Sequence, residues 1–404
     1  MSVATDNLAA SIHRHLEEVA PDIQAVAREI HGHAEIGYQE FKSSAALCDL
    51  LERHGFSVQR GASGMDTAFI ADSGREGPGI AFVCEYDALR GLGHACGHNL
   101  IGTGSAGAGI ALAMALQEAG LPGRVRVVGS PAEEGGGGKI PLCHDGVFDE
   151  YDAALIFHPS DRTMSVMYAL ACTHWEWVFK GRAAHAAADP NQGINALDAF
   201  VHSWNGISLW RQQLRDDARV HGFVREGGTA PNIIPERTSG EYLTRARDGA
   251  YLREMNQRFR AIMEAAALAT GCELELTENE TYLDLRSNPV LAARMQEHLD
   301  AVGLHPQESI PWDRVGSTDV GDLSYALPSL HPEVAIIDEG VSCHTHEFRA
   351  AADSERGYRA LIQGAEALAL TGAEVVADAE VRERVRAAFR DQPWRRQEWR
   401  GSGV

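Results

Sequence analysis

The 404-residue sequence is short of positive charge. Lysine and arginine number 36 against 57 aspartates and glutamates, so the net charge is −21. Such a surface repels nucleic acid and anionic membranes, and neither is expected as a partner. We expect no apolar run long enough to cross a bilayer. The start, "MSVATDNLAASIHRHLEEVA", lacks a basic stretch followed by an apolar one, so no signal peptide is expected.

Cysteine is also scarce. The seven cysteines are an odd number scattered over a long chain, which fits reduced thiols better than a disulfide framework. A cytoplasmic location is therefore expected. A chain of this length exceeds one ordinary hydrophobic core, so two domains are expected as well.

The order of apolar segments predicts an α/β fold. Short strands such as "GIAFVCEYD" and "RVRVVGS" alternate with helices, which favours a doubly wound, mostly parallel sheet. Near residue 172 the pattern changes, because "CTHWEWVFKG" alternates with period two, as in a half-exposed strand. The following segments read β-α-β-β-α-β, compatible with a ferredoxin-like α+β unit. We predict a discontinuous first domain, 1–171 and 285–404, with a second domain inserted at 172–284.

Residues with metal-binding chemistry follow three of the predicted strands. The first loop carries Cys96 and His98, the second Glu133 and Glu134, and the third His158. Ligands of open parallel sheets bind outside the carboxyl ends of the strands, so these side chains are expected to meet. Thiolate, imidazole and carboxylate suit Zn²⁺ or Mn²⁺. One of the adjacent glutamates can bind metal while its neighbour acts as a general base.

Each of these residues, taken alone, has an ordinary interpretation. A buried histidine or cysteine is more often part of the core, and paired glutamates are usually solvated. Their shared position at one sheet edge is what carries the prediction. Two glycine-rich segments are not interpreted as phosphate sites. "GTGSAG" does not directly follow a strand, and "GGGGKI" has Ile140 where a P-loop needs serine or threonine.

At these motifs the chain resembles the M20 metallopeptidase/amidohydrolase family, subfamily D. That subfamily includes indole-acetyl-amino-acid hydrolases, N-acyl-amino-acid amidohydrolases and p-aminobenzoyl-glutamate hydrolases. The matching segments include "HGHAEIGYQE", "EYDAL", "GHACGHN", "SPAEEGGGG", "FHPS", "GRAAHAAADPNQGINALDA", "GSTDVGDLS" and "CHTHEFRAA". The pair "EYDAL" and "GHACGHN" is most similar to the p-aminobenzoyl-glutamate hydrolase subgroup.

The resemblance implies a catalytic domain, an inserted lid domain that usually dimerises, and one or two Zn²⁺ or Mn²⁺ ions per subunit. The substrate would be an N-acyl or N-aroyl amino acid that carries a carboxylate. The implied metal ligands are Cys96, His98, Glu134, His158 and His344. Glu133 would be the general base, His185 would hold the oxyanion, typically in the partner subunit's site, and Asn232 and Arg245 would grip a substrate carboxylate.

Several alternatives stay open at this stage. The same site could release ammonia from an amino-aromatic acid, or the chain could be an inactive binding protein on the same scaffold. Arg90 stands where relatives usually have proline, and His94 and His346 could orient a ligand. His344 is preferred to His346 as the ligand because the family pattern is H-T-x-E-F. Whether "WEWVF" forms the edge of a dimer is also open.

Overall fold

The computed structural model describes residues 3–74, 76–311 and 315–391, which form two compact units. The first unit runs to Tyr168, resumes at Leu285 and continues from Asp319 onward. The second unit consists of Ala169–Asp284 and Val315–Thr318. The predicted boundaries had placed 315–318 in the first domain. In the structure, Leu170 N donates a hydrogen bond to Gly316 O at 2.8 Å, which joins this segment to the second unit.

Helices and strands alternate through most of the chain. The helices are α1 (Val3–His33), α2 (Phe41–Arg53), α3 (His98–Ala119), α4 (Lys139–His144), α5 (Ala196–Trp210), α6 (Gly249–Thr270), α7 (Pro289–Ala301), α8 (Val320–Ala326), α9 (His346–Ala351), α10 (Glu355–Ala377) and α11 (Ala379–Arg390). The strands are β1 (Ser57–Ala62), β2 (Met65–Ser73), β3 (Gly79–Cys84), β4 (Arg124–Gly129), β5 (Ala153–Leu155), β6 (His158–Ser160), β7 (Ala171–Lys180), β8 (Arg219–Glu226), β9 (Arg237–Ala246), β10 (Glu273–Tyr282), β11 (Ser329–Leu330) and β12 (Glu333–Ala335).

The first unit is built on a sheet with the strand order β1-β2-β4-β3-β5-β11. Strands β4, β3, β5 and β11 run parallel, whereas β1 and β2 form an antiparallel edge. Every residue of β3 is buried, as expected for a strand covered on both faces. The predicted mostly parallel α/β architecture is confirmed.

Helix α3 packs closely on its neighbours through glycine. A Cβ at Gly107 would lie 2.5 Å from Ile23 Cδ1, and one at Gly104 would lie 2.3 Å from Phe157 Cε1. Neither distance is possible between carbon atoms at rest, because interiors are already close-packed. Gly104 and Gly107 of "GTGSAG" therefore allow α3 to pack closely on its neighbours.

By length and composition alone, α3 and α10 could each cross a membrane. The expectation that no segment reaches this length was therefore wrong. Both helices are mostly buried inside the fold, where α3 packs against α1 and α10. Burial of this kind is typical of the core helices of a folded domain.

The stability of the first unit is expected to depend on pH through the ionisation of Glu374. Burial opposes ionisation of this carboxyl group, but Arg294 Nε and Nη2 both contact it at 2.5 Å and His298 Nε2 at 3.3 Å. The net result is a pKa lowered from 4.5 to about 2. Because the folded-state pKa is depressed, the stabilisation is present above pH 4.5 and is lost as the pH falls towards 2.

Replacement Glu374→Gln should lower the free energy of unfolding near neutral pH by about 1.5–3 kcal/mol, the scale of a hydrogen bond to a charged group. It should also flatten the pH dependence of stability below pH 4.5. Denaturant unfolding across this pH range measures both effects, with Glu383→Gln, an exposed ion-pair partner of Arg390, as the control. An unchanged acid profile would contradict the assignment.

The second unit is an antiparallel sheet in the order β10-β7-β9-β8, with α5 and α6 packed on it. Alternate residues of β7 face this core, including Trp175, Trp177 and Phe179, which are fully buried. Strand β7 lies between β10 and β9, so "WEWVF" is not an edge. Strand β8 lies at an edge of the sheet and exposes Phe223 and Val224.

Candidate metal centre

The loop after β3 turns sharply to bring two donor groups into the first unit's core. Cys96 is buried in this loop and His98 is the first residue of α3. Gly97 between them has φ of 80°, in the left-handed region. A Cβ there would lie 2.8 Å from Pro159 Cγ. Glycine is therefore required at the turn that separates the two donors.

Two more segments reach the same edge of the sheet. After β4 the chain passes through Ala132, whose φ of 59° is also left-handed, and Ala132 N donates to the buried Glu40 at 2.9 Å. This turn presents Glu133 and Glu134. After β5 the chain reaches His158, the first residue of β6, which pairs in parallel with β12. The carboxyl ends of three neighbouring parallel strands thus supply the donors.

The structure brings together the residues that the resemblance assigns as metal ligands. Cys96 Sγ lies 3.4 Å from His158 Nε2. Glu134 Oε1 lies 3.9 Å from His98 Nε2, and Glu134 Oε2 lies 3.4 Å from His344 Nε2. Donor atoms of Cys96, His98 and His158 all lie within 4.8 Å of one another. The separations fit ligands that share one or two ions.

Neighbouring groups orient these donors. Asp87 accepts from His98 Nδ1 and from Glu134 N, each at 2.9 Å. His158 Nδ1 donates to Pro159 O at 2.6 Å. The Nε2 atoms of both histidines are therefore left to face the centre, as in metal sites where the second ring nitrogen is held by an acceptor. Burial opposes ionisation of Asp87, but the nearby His98 lowers its pKa to about 2.

Two atoms at the centre indicate the kind of group that the site could hold. Among the described residues, His98 Nε2 and Glu134 Oε1 are buried and have no hydrogen-bond partner. A buried polar atom without a partner is costly, and native structures rarely leave one unexplained. A divalent cation satisfies both atoms at once, and the sulfur, nitrogen and oxygen donors suit Zn²⁺ or Mn²⁺. The residues present fit such an ion.

Glu133 lies beside the centre. One of its oxygens is 3.7 Å from His98 Nε2. Burial raises the pKa of its carboxyl group well above the usual value, and the charge of Glu85 adds to this effect. Burial opposes ionisation of the adjacent Glu134, but contact with His344 and the nearby His98 together lower its pKa. The two glutamates therefore differ in environment, as a metal ligand and a general base should.

Sequence reasoning missed a buried ion cluster next to Glu133. Lys139 Nζ lies 2.6 Å from Glu85 Oε1 and 2.6 Å from Asp319 Oδ1, and all three side chains are fully buried. Asp319 also accepts from Lys139 N at 3.0 Å. Carboxylate oxygens of Glu85, Glu133 and Asp319 lie within 4.8 Å of one another. The single lysine that follows the glycine run, at a sheet edge rich in acidic residues, was the sequence feature that could have indicated this cluster.

Two other neighbours of the centre were also missed. The ring of the fully buried His331 lies 5.6 Å from that of His158. Burial lowers the pKa of His331, which keeps it neutral. The thiol of Cys343 lies within 4.8 Å of Cys96 Sγ and a His344 ring nitrogen. A cysteine directly before the predicted ligand His344 was the available signal.

Three residues whose roles were left open by the sequence, Arg90, His94 and His346, lie outside the set of proposed ligands. His94 is buried and its Nε2 contacts Ile30 O at 3.0 Å, and burial lowers its pKa to about 3. It is therefore a neutral core residue that supports the α1 packing. His346 is exposed at the start of α9, and Arg90 is exposed in a turn.

The predicted lid residues lie in the second unit. His185 Nδ1 accepts from Ala187 N at 3.3 Å and from Ala188 N at 3.1 Å. The neutral ring must then carry its proton on Nε2. Asn232 lies close to His185, since the backbone carbonyl of Asn232 accepts a hydrogen bond from Ala186 N at 3.0 Å.

Arg245 lies on β9, also in the second unit. Its Nη1 donates to Ser317 Oγ at 3.2 Å. Its Nε is buried and has no hydrogen-bond partner among the described residues. The guanidinium group therefore keeps at least one donor available for another acceptor.

Comparison with known proteins gives consistent matches. The sequence model of Peptidase family M20/M25/M40 matches residues 75–371. The Xaa-Arg dipeptidase of Mus musculus is 35% identical over 394 residues, covering 93% of this chain and 90% of the relative. A p-aminobenzoyl-glutamate hydrolase chain of Escherichia coli (strain K12) is 36% identical over 297 residues, covering 69% of this chain and 62% of the relative.

Solved structures share the fold. The aminobenzoyl-glutamate utilization protein of Klebsiella pneumoniae matches with a TM-score of 0.70 and 20% identity, covering 91% of this chain and 99% of that one. A dinuclear metal-binding peptidase of the M20 family from Bacillus subtilis matches with a TM-score of 0.66 and 21% identity, covering 89% of this chain and 99% of that one. At these identities the likeness supports the architecture alone.

Proposed function

Since the chain belongs to Peptidase family M20/M25/M40 and is a hydrolase that acts on C–N amide bonds, we propose that it cleaves the amide of an N-acyl or N-aroyl amino acid with a bound divalent cation. One observation carries this proposal. Sulfur, nitrogen and oxygen donors from four separate segments lie close together. Two of these donor atoms, His98 Nε2 and Glu134 Oε1, are buried and have no hydrogen-bond partner among the described residues.

The proposed cofactor is Zn²⁺ or Mn²⁺, with one or two ions per subunit. The residues that would hold it are Cys96, His98, Glu134, His158 and His344. When bound, such an ion lowers the pKa of water towards neutrality and polarises a carbonyl oxygen. Asp87 and the carbonyl of Pro159 support this role, because they fix the ring orientation of two proposed ligands.

Glu133 is proposed as the general base and acid. Its carboxylate takes a proton from the attacking water and later returns it to the nitrogen of the leaving amine. The buried environment that raises the pKa of Glu133 supports this role, since a carboxylate of raised pKa is a better base and a ready donor. The neighbouring Glu134 is engaged with His344 and stays ionised, which supports its role as a ligand.

The second unit is proposed to supply substrate contacts and the dimer interface. His185 Nε2–H is a suitable donor to a developing oxyanion, since its Nδ1 is already occupied as an acceptor. Asn232 and Arg245 are proposed to bind the substrate carboxylate. The exposed Phe223 and Val224 on edge strand β8 support a homodimer through this unit. The free cysteines support a cytoplasmic location.

The proposed substrate class covers the named activities of both sequence relatives. One relative is named for Xaa-Arg dipeptides and the other for p-aminobenzoyl-glutamate. Both names describe an amide whose leaving amine is an amino acid with a free carboxylate. A dipeptide is itself an N-acyl amino acid, so either compound would present the same bond to Glu133.

A product screen tests this function. Purified protein with added Zn²⁺ or Mn²⁺ is incubated with p-aminobenzoyl-glutamate, other N-acyl amino acids, dipeptides ending in arginine or lysine, and amino-aromatic acids. We expect a free amino acid to appear as product, identified by mass. Release of ammonia from an amino-aromatic acid would instead favour the deaminase alternative. Binding without any metal-dependent turnover would favour the inactive scaffold.

Metal removal should abolish turnover reversibly. Dialysis against a chelator is expected to reduce activity to the limit of detection, and Zn²⁺ or Mn²⁺ should restore it. The ion should also stabilise the fold by about 2.7 kcal/mol at a free concentration 100 times its Kd, measured by thermal unfolding. Cys96→Ala is the matched control. Because this variant lacks a proposed ligand, it should recover little activity when the metal is added back. Full turnover in the chelated protein would contradict a metal-dependent mechanism.

A further inference from the structure

Cys343 places a second thiol beside the proposed metal ligands. Its Sγ, the Sγ of Cys96 and a ring nitrogen of His344 all lie within 4.8 Å of one another. Cys96 is buried, whereas Cys343 is exposed. The family resemblance assigns one cysteine ligand, Cys96, to the centre and gives Cys343 no role.

The segment that carries Cys343 is held in place next to Cys96. His344 N donates to Ala95 O at 2.9 Å, which ties the segment to the residue before Cys96. On the other side, Thr345 Oγ1 accepts from Phe348 N at 3.2 Å and caps α9. His344 itself has φ of 63°, an unfavourable value for a residue with a side chain. The surrounding contacts stabilise this conformation, and Cys343 and His344 both face Cys96.

The separations suit coordination of one ion by both sulfurs. Two Zn–S bonds of about 2.3 Å in a tetrahedral centre place their sulfurs about 3.8 Å apart, inside the 4.8 Å limit of this group. An independent observation points to a cation at the same centre. The fully buried His98 Nε2 has no hydrogen-bond partner among the described residues, and Glu134 Oε1 is equally unpartnered. Thiolates favour Zn²⁺ over Mn²⁺, which prefers oxygen donors.

We propose that Cys343 is a further thiolate ligand of the metal centre and makes the site selective for Zn²⁺ over Mn²⁺. This inference rests on the proposed function, because it requires the centre formed by Cys96, His98, Glu134, His158 and His344. The thiol of Cys343 gives its proton to solvent as the S–metal bond forms, so binding of the ion releases one proton more than it would without this residue.

Cobalt substitution tests the proposal. Metal-free full-length protein is titrated with Co²⁺, and the thiolate-to-cobalt charge-transfer absorbance per bound ion is recorded. We expect Cys343→Ser to lower this absorbance by about half. Cys272→Ser is the matched control, since Cys272 lies in the second unit, where its thiol contacts Asn195 O, and its loss should leave the spectrum unchanged. The Zn²⁺-to-Mn²⁺ affinity ratio of Cys343→Ser should fall by at least about 10-fold, the lower limit seen when an outer partner of a ligand is lost.

The outcomes separate this inference from the proposed function. If Cys343→Ser keeps the full charge-transfer band and Cys96→Ser loses it, Cys343 is not a ligand, while the centre itself stands. If the wild-type protein binds no Co²⁺, the metal centre and the proposed function both fail. If metal-loaded protein has a mass lower by two hydrogens and a Cys96–Cys343 disulfide, the proposal is also overturned. Because Cys343 is exposed, its serine variant should fold, as circular dichroism can verify.

Discussion

Replacement of Glu133 by glutamine should reduce turnover by at least about 10²- to 10⁴-fold, the usual contribution of a general acid–base group. The amide has nearly the shape of the carboxyl group but cannot accept a proton from water. The fold should tolerate the change, because burial already disfavours the charged form of Glu133. Metal content, measured by elemental analysis, should stay at the wild-type level, since Glu133 is not among the proposed ligands.

Two further variants make this result specific. Glu134→Gln should lose both turnover and bound metal, because the carboxylate contacts His344 and lies beside His98. Glu150→Gln, at an exposed carboxylate paired with Arg124, should change neither. Wild-type turnover in Glu133→Gln would rule out the proposed mechanism. Loss of metal in that variant would place Glu133 among the ligands instead.

The ligand-bearing loops could be located from sequence because they depend on local rules. An all-apolar strand such as β3 is recognisable, and parallel strands must end at the same edge of a sheet. Cys96, Glu134 and His158 follow the parallel strands β3, β4 and β5, respectively, along the chain. Their approach within a few ångströms then follows from topology, and the structure places them there.

The buried ion cluster could not be located in this way. Lys139 and Asp319 are separated by 180 positions, and nothing in either local sequence indicates a contact. "GGGGKI" could be excluded as a P-loop, but that left Lys139 without a role. A lysine is normally solvated, and its burial depends entirely on which carboxylates the rest of the fold delivers. The position of "WEWVF" was equally hidden, because strand order within a sheet is not encoded in a strand's own alternation.

Replacement of Lys139 by methionine should destabilise the protein by about 3–5 kcal/mol, the cost of removing one partner from a buried ion pair. Methionine is close to the lysine chain in length but leaves Glu85 and Asp319 buried, close together and without the charge of the lysine. Burial already raises the pKa of Asp319 to about 6 even beside Lys139. Denaturant unfolding measures the loss. We also expect turnover to fall, because Glu133 lies against the same carboxylates.

The surface offers a matched control for this variant. Lys180→Met removes an exposed ion pair with Glu275 and should cost less than about 1 kcal/mol. Adding Asp319→Asn to Lys139→Met should recover part of the lost stability, since it removes one of the two uncompensated charges. Equal stability of Lys139→Met and the Lys180→Met control would mean that the cluster is not held by its charges. A double variant no more stable than Lys139→Met alone would mean that the loss comes from packing around the lysine chain rather than from repulsion between Asp319 and its acidic neighbours.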